Sequence, residues 1–108
     1  MESEKIYMFE DILATSGAWL KHIREKHKEK IEDNEYIDYI IKSTEFQIDN
    51  LSVFLEMVER DNDYVGEAKS KSDVVNEEQY VCDSLTRISE NLTQIKLSLP
   101  FDASEKEN

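Results

Sequence analysis

Glycine and proline are scarce in this 108-residue chain, with two Gly and one Pro. A β-sandwich, a Gly-rich phosphate loop and collagen-like repeats all depend on turn formers, and this composition argues against each of them. Cys82 is the lone cysteine, and the two histidines, His22 and His27, are five residues apart. Two imidazoles share a helix face at a spacing of four, so no metal-ligand constellation is expected. Uninterrupted apolar runs stop after three or four residues, far short of the roughly 20 that span a bilayer. The basic, apolar, small-residue order of a signal peptide is missing from Met1 to Leu20, which points to the cytoplasm or to a host cell's cytoplasm. No Ser or Cys stands in the His- and Gly-containing signatures of an activated nucleophile, so neither catalytic residues nor a cofactor cradle are expected and the chain does not read as an enzyme.

What is abundant is charge, 35% of the residues, alongside 39% apolar residues. Twenty-five Asp and Glu against 13 Lys and Arg give a net charge of -12. Direct binding of a phosphate backbone is electrostatically opposed, and a protein partner with a basic surface is favoured. The exception is the stretch from Lys21 to Lys30, where Lys21, Arg24, Lys26, Lys28 and Lys30 outnumber Glu25 and Glu29. It reads either as a solvated helix face or as a patch on which the acidic remainder of the chain docks.

Helical periodicity organises the rest. Ile6, Phe9, Leu13, Ser16, Leu20, Ile23, His27 and Ile31 recur in steps of three and four, the seam of a helix from about Ser3 to Glu32 in which Gly17 is the candidate break. Ile37, Ile41, Thr44, Ile48, Leu51, Leu55 and Val58 define a second helix from about Asn34 to Arg60, with Asp33-Asn34 capping it after a hairpin. The rival to that hairpin is one continuous rod, which buries little. Asp61 to Asp73 loses the apolar period and reads as the one clear loop. Val81, Leu85, Ile88, Leu92, Ile95 and Leu99 then step by four and three until Pro100, marking a third helix. Cys82, beside that seam, is expected to be a buried thiol. The polar, acidic residues 100–108 are expected to be a disordered tail beyond a single helical domain of residues 1–99.

The second helix has more apolar residues than its seam needs. Tyr39, Phe46, Val53 and Met57 lie two residues beyond seam positions, about 200° around the helix. They form a second stripe that a three-helix bundle leaves facing water unless Trp19 and the Met1 to Met8 segment cover it. Asp38, Glu45, Asp49, Glu56, Glu59 and Asp63 run alongside, interrupted by Lys42. Stripe and acidic row together nominate Asp38, Tyr39, Glu45, Phe46, Asp49, Val53, Glu56, Met57 and Glu59 as a partner-binding surface. The row's own density of charge fits either a solubilising face or mimicry of nucleic acid toward a basic cleft.

Two short segments resemble known motifs. Asp61, Asp63 and Gly66 fall at positions 1, 3 and 6 of a 12-residue stretch that resembles the calcium loop of the EF-hand family. It departs at Val65, which offers no side-chain oxygen at position 5, and at Ser72, where the family has its bidentate Glu. Thr86, Glu90 and Asn91, in the run TRISEN, resemble the inhibitory helix of antitoxins that block Fic-family nucleotidyl transferases, which implies that Glu90 would hold an Arg of such an enzyme. That match covers six residues.

The expected architecture is therefore all-α: three antiparallel helices with coiled-coil-like packing, four if Gly17 breaks the first, with the chain expected to be a homodimer joined through the second helix. The expected function is binding, by a small acidic inhibitor or mimic of the kind mobile elements use, which occupies a basic surface of a nucleic-acid-handling protein. An adaptor or chaperone that holds a partner's amphipathic helix, or a homodimeric coiled-coil piece joined through the second helix, are the alternatives.

Overall fold

Asn34 starts the long helix at the centre of the fold. Its Oδ1 accepts hydrogen bonds from the backbone N–H groups of Tyr36 at 3.1 Å and Ile37 at 3.2 Å, satisfying two of the donors that a helix N-terminus leaves open. The computed structural model describes residues 1–65 and 71–99, with the side chains of 62–65 and 71–72 outside that description. The described chain forms α1 (Ser3–Lys26), the short α2 (Lys28–Glu32), α3 (Glu35–Val65) and α4 (Lys71–Ser98), with no strand among the described residues. The hairpin at Asp33-Asn34 excludes the continuous rod.

Directions follow from side-chain pairings. Arg24 of α1 meets Asp38 and Glu45, near the start of α3, whereas Glu10, near the start of α1, faces Glu56 and Glu59. The two helices are antiparallel. Asn91 of α4 donates to Gln47 of α3 and Tyr80 packs on Phe54, so α4 also runs antiparallel to α3. Lys5 with Glu78 and Trp19 with Lys96 tie α1 and α4 side by side in the same direction. The result is an up-down-up bundle with α3 shared by both outer helices.

One apolar core runs through it. Ile6, Phe9, Leu13, Leu20 and Ile23 of α1 meet Ile37, Ile41, Ile48, Leu51, Leu55 and Val58 of α3 and Val81, Ile88, Ile95 and Leu99 from α4 and its end, all buried. Met1 and Ile40 join them. Thr44 is fully buried, and its Oγ1 donates to the carbonyl of Ile40 at 2.7 Å, so the hydroxyl stays satisfied inside the core.

Three expectations need correction. The first helix breaks at His27, not Gly17, which lies inside α1. His27 leaves helical geometry at φ -115°, ψ 31° and is 6% exposed. The cause is visible in the seam: Ile23, His27 and Ile31 are separated by two successive steps of four, which would carry Ile31 about 80° past Ile23 on a straight helix. The break resets the phase, and both isoleucines are buried. Second, Asp61–Val65 continue α3, so the first five positions of the calcium-loop match are helix, not the loop such a site requires. The rest of the expected loop is shortened by α4, which starts at Lys71; residues 66–70 lie outside the described residues, as does the expected tail, 100–108. Third, Cys82 is exposed, not buried, because it sits about 100° from the seam residue Val81.

Candidate surface on the outer face of helix α3

The residues that bury α3 and the apolar residues nominated for binding lie on opposite sides of it. Ile37, Ile41, Thr44, Ile48, Leu51, Leu55 and Val58 point into the core, while Tyr39, Phe46, Val53 and Met57 remain 70%, 65%, 55% and 51% exposed. The covers anticipated for this stripe are engaged elsewhere. Trp19 packs against the core with Lys96 Nζ 5.4 Å from its ring centre, Met1 is buried in the core, and Met8 is itself exposed. Tyr36, one helical turn before Tyr39, extends the exposed face. On the α4 side it is continued by Phe54, half-buried, whose ring lies 4.6 Å from that of Tyr80 at an interplanar angle of 58°, the tilted arrangement aromatic pairs prefer.

The acidic row does not form one free face. It lies on the α1 side of α3, where it divides in two. At one end, Arg24 Nη2 donates to Glu45 Oε1 at 2.6 Å and Nε donates to Glu45 Oε2 at 3.4 Å, while Nη1 lies 3.6 Å from Asp38 Oδ1. Lys42 Nζ is 2.8 Å from Asp38 Oδ2. The Lys42 hydrogen bond, then the charges of Lys42 and Arg24, hold the Asp38 carboxyl below its ordinary value against the opposing effect of desolvation. The Glu45 hydrogen bond is the main influence raising the Arg24 guanidinium further. Arg24 thus makes the basic stretch a docking patch for part of the row, and Asp38 and Glu45 are largely neutralised within the subunit.

At the other end the charges are of one sign. Burial first, then repulsion from Glu59 and Glu56, raises the Glu10 carboxyl above its ordinary value. Glu10 Oε1 is buried without a hydrogen-bond partner, and the protonated carboxyl can donate to Glu59. Asp49, between the two ends, is exposed. Of the nominated set, therefore, the structure brings Tyr39, Phe46, Asp49, Val53, Glu56 and Met57 to the solvent-facing side, with Glu59 half-buried against α1 and Asp38 and Glu45 held by Arg24.

Sequence reading offered the basic stretch as a docking patch but missed which carboxylates Arg24 clamps, and it missed the Phe54–Tyr80 pair. Both join residues 14 or more positions apart on different helices, and no local pattern records such pairings. Tyr36 had a signal, its spacing of three from Tyr39. Elsewhere, Glu90 is exposed on α4. No group of three or more His, Cys, Asp or Glu among the described residues could hold a metal ion, and no described helix is long and apolar enough to cross a membrane. Comparison with known protein families, with characterised proteins and with solved structures gives no match to this chain.

Proposed function

We propose that the chain acts by binding another protein, with the outer face of α3 as its docking surface and an amphipathic helix with a basic flank as the class of partner. The observation that carries this reading is the exposure of Tyr39, Phe46, Val53 and Met57 in the folded chain. Four large apolar side chains in one line on a helix resemble the anchor pattern by which helices dock on one another, and a contiguous exposed patch of this kind marks interfaces more often than free surface. Asp49 and Glu56 beside the stripe supply an acidic rim, which favours basic residues flanking the partner's apolar anchors.

The second reading is the acidic inhibitor that occupies a basic surface of a nucleic-acid-handling protein. It is favoured by the concentration of negative charge at Glu10, Glu56 and Glu59. The pairing of Glu45 with Arg24 and of Asp38 with Lys42 and Arg24 offsets two of the carboxylates on which it drew, so apolar docking ranks first.

Capture of binding proteins with the wild-type chain, Val53→Asp and Glu56→Lys at low and high salt separates the two. Apolar docking requires a protein retained at high salt and lost with Val53→Asp. Charge mimicry requires one lost at high salt and with Glu56→Lys but kept by Val53→Asp. Binding that ignores both substitutions sinks both readings.

A further inference from the structure

The outer face of α3 has a second regular seam. Tyr39, Ser43, Phe46, Asn50, Val53 and Met57 step by 4, 3, 4, 3 and 4, a heptad spacing like that of the core seam on the opposite side. The core seam is filled by α1 and α4. We infer that the outer seam is filled by α3 of a second copy of this chain, running antiparallel about a two-fold axis near Ile48-Asp49. This rests on the reading of that face as a docking surface and names its occupant: α3 is itself an amphipathic helix with basic residues, Lys42 and Arg60, beside an apolar stripe.

A two-fold interface presents the same patch twice, so every contact must be self-complementary. Antiparallel pairing meets that requirement. It sets Tyr39 against Met57 of the second copy, an aromatic ring on a thioether. Tyr36 falls against Arg60 of the second copy, a ring on a guanidinium. Ser43 meets Val53, and Phe46 meets Asn50, so each small or polar residue opposes a larger apolar one. On the flank toward α1, Lys42, 67% exposed at its side chain and already 2.8 Å from Asp38 of its own subunit, falls opposite Glu56 of the second copy and would bridge the two carboxylates, and the two-fold axis makes that pair twice. Asp49 against its own mate at the axis is an unfavourable contact.

Parallel pairing of the same seam is worse by charge. In that arrangement Lys42 faces Gln47, Asp49 faces Phe54, and Glu56 faces Asp61 of the second copy, which leaves no ion pair and brings two carboxylates together. The available area is adequate for a stable but weak dimer. Tyr36, Tyr39, Phe46, Val53 and Met57, at their observed exposure, offer on the order of 600 Å² per copy, or about 1,200 Å² in all, the lower limit for a specific interface. Asn50 within the seam lowers affinity while fixing register and orientation.

Sedimentation equilibrium across a concentration series tests the dimer directly, with a mass rising from 12.7 kDa to twice that value. Val53→Asp, at an exposed position, should remain helical and stay monomeric. Lys42→Glu should weaken the dimer at least tenfold, and Lys42→Glu with Glu56→Lys should recover most of the loss, a rescue that disruption of the fold would not show. In a Cys82→Ser background, Asp49→Cys should cross-link two copies on oxidation, whereas Tyr39→Cys, whose two copies would lie about 27 Å apart along antiparallel helices, should not. A wild-type chain that stays at 12.7 kDa throughout, a dimer that persists in Val53→Asp, or cross-linking through Tyr39→Cys overturns the inference. If the wild type is monomeric yet captures another protein in a Val53-dependent way, the docking surface stands and its occupant is not a second copy.

Discussion

Arg24 of α1 clasps Glu45 of α3 through two nitrogens, with Nη2 2.6 Å and Nε 3.4 Å from the carboxylate oxygens. The pair is about one-third exposed, with side-chain exposures of 34% and 38%, so solvent screening limits its contribution. Replacing Arg24 by Ala should lower stability by about 0.5–1 kcal/mol, readable as a shift of the urea midpoint. Arg24→Lys should recover only part of this, because an ammonium cannot reproduce the two-pronged contact. If Arg24→Ala unfolds at the wild-type midpoint, the clasp contributes nothing.

Glu10 gives the opposite electrostatic effect. Burial and the nearby Glu59 and Glu56 raise its carboxyl above the ordinary 4.5. Between that value and the raised one the folded chain binds more protons than the unfolded chain, so stability falls as pH rises through this window. Below it the penalty vanishes, and above it the penalty is complete. Glu10→Gln should therefore melt higher than wild type at neutral pH, with the difference closing as pH drops toward 4. A difference that does not change with pH would mean that the carboxyl is not strained by its neighbours.

Gly17 offers a gain. It lies inside α1, and a Cβ added there would meet no atom within 4 Å. Gly17→Ala should stabilise the chain by about 0.5–1 kcal/mol, since alanine loses less backbone freedom in a helix interior. A lower melting temperature in this variant would show that the glycine has a role beyond helix propensity.

Leu55 and Met57 are two residues apart and face opposite environments. Leu55 is fully buried, whereas Met57 is 51% exposed. Leu55→Ala should cost about 2–5 kcal/mol through lost burial and a residual cavity. Met57→Ala should stay within about 0.5 kcal/mol of wild type in dilute solution. Equal losses at both sites would mean that the outer face is packed within a single subunit.

Much of this was legible in the sequence, for a physical reason. A helix that must bury one face repeats its apolar residues at the helix period, so Ile37 through Val58 could be assigned to the core, and residues about 200° away, such as Phe46 and Val53, to the outside. Helix ends were less legible. Asn34 announced itself as a cap, but Asp61–Val65 carry no apolar period and are helical all the same, because backbone hydrogen bonding extends a long helix through polar residues. The break at His27 was written as two consecutive steps of four, a weaker mark than a glycine. The acidic row was legible as a row, but its division was not, since that depends on which carboxylates Arg24 can reach once α1 is folded against α3.

Because α1 and α4 both lean on α3 and touch each other through the tips of side chains such as Lys5–Glu78 and Trp19–Lys96, the middle helix behaves as a mast to which two stays are fastened separately. Opening of one outer helix is therefore expected to leave the other's contacts with α3 in place. Amide protons in the middle of α3 should then be the last to exchange with deuterium, and those of α1 and α4 should exchange at independent rates, each set by its own grip on the mast.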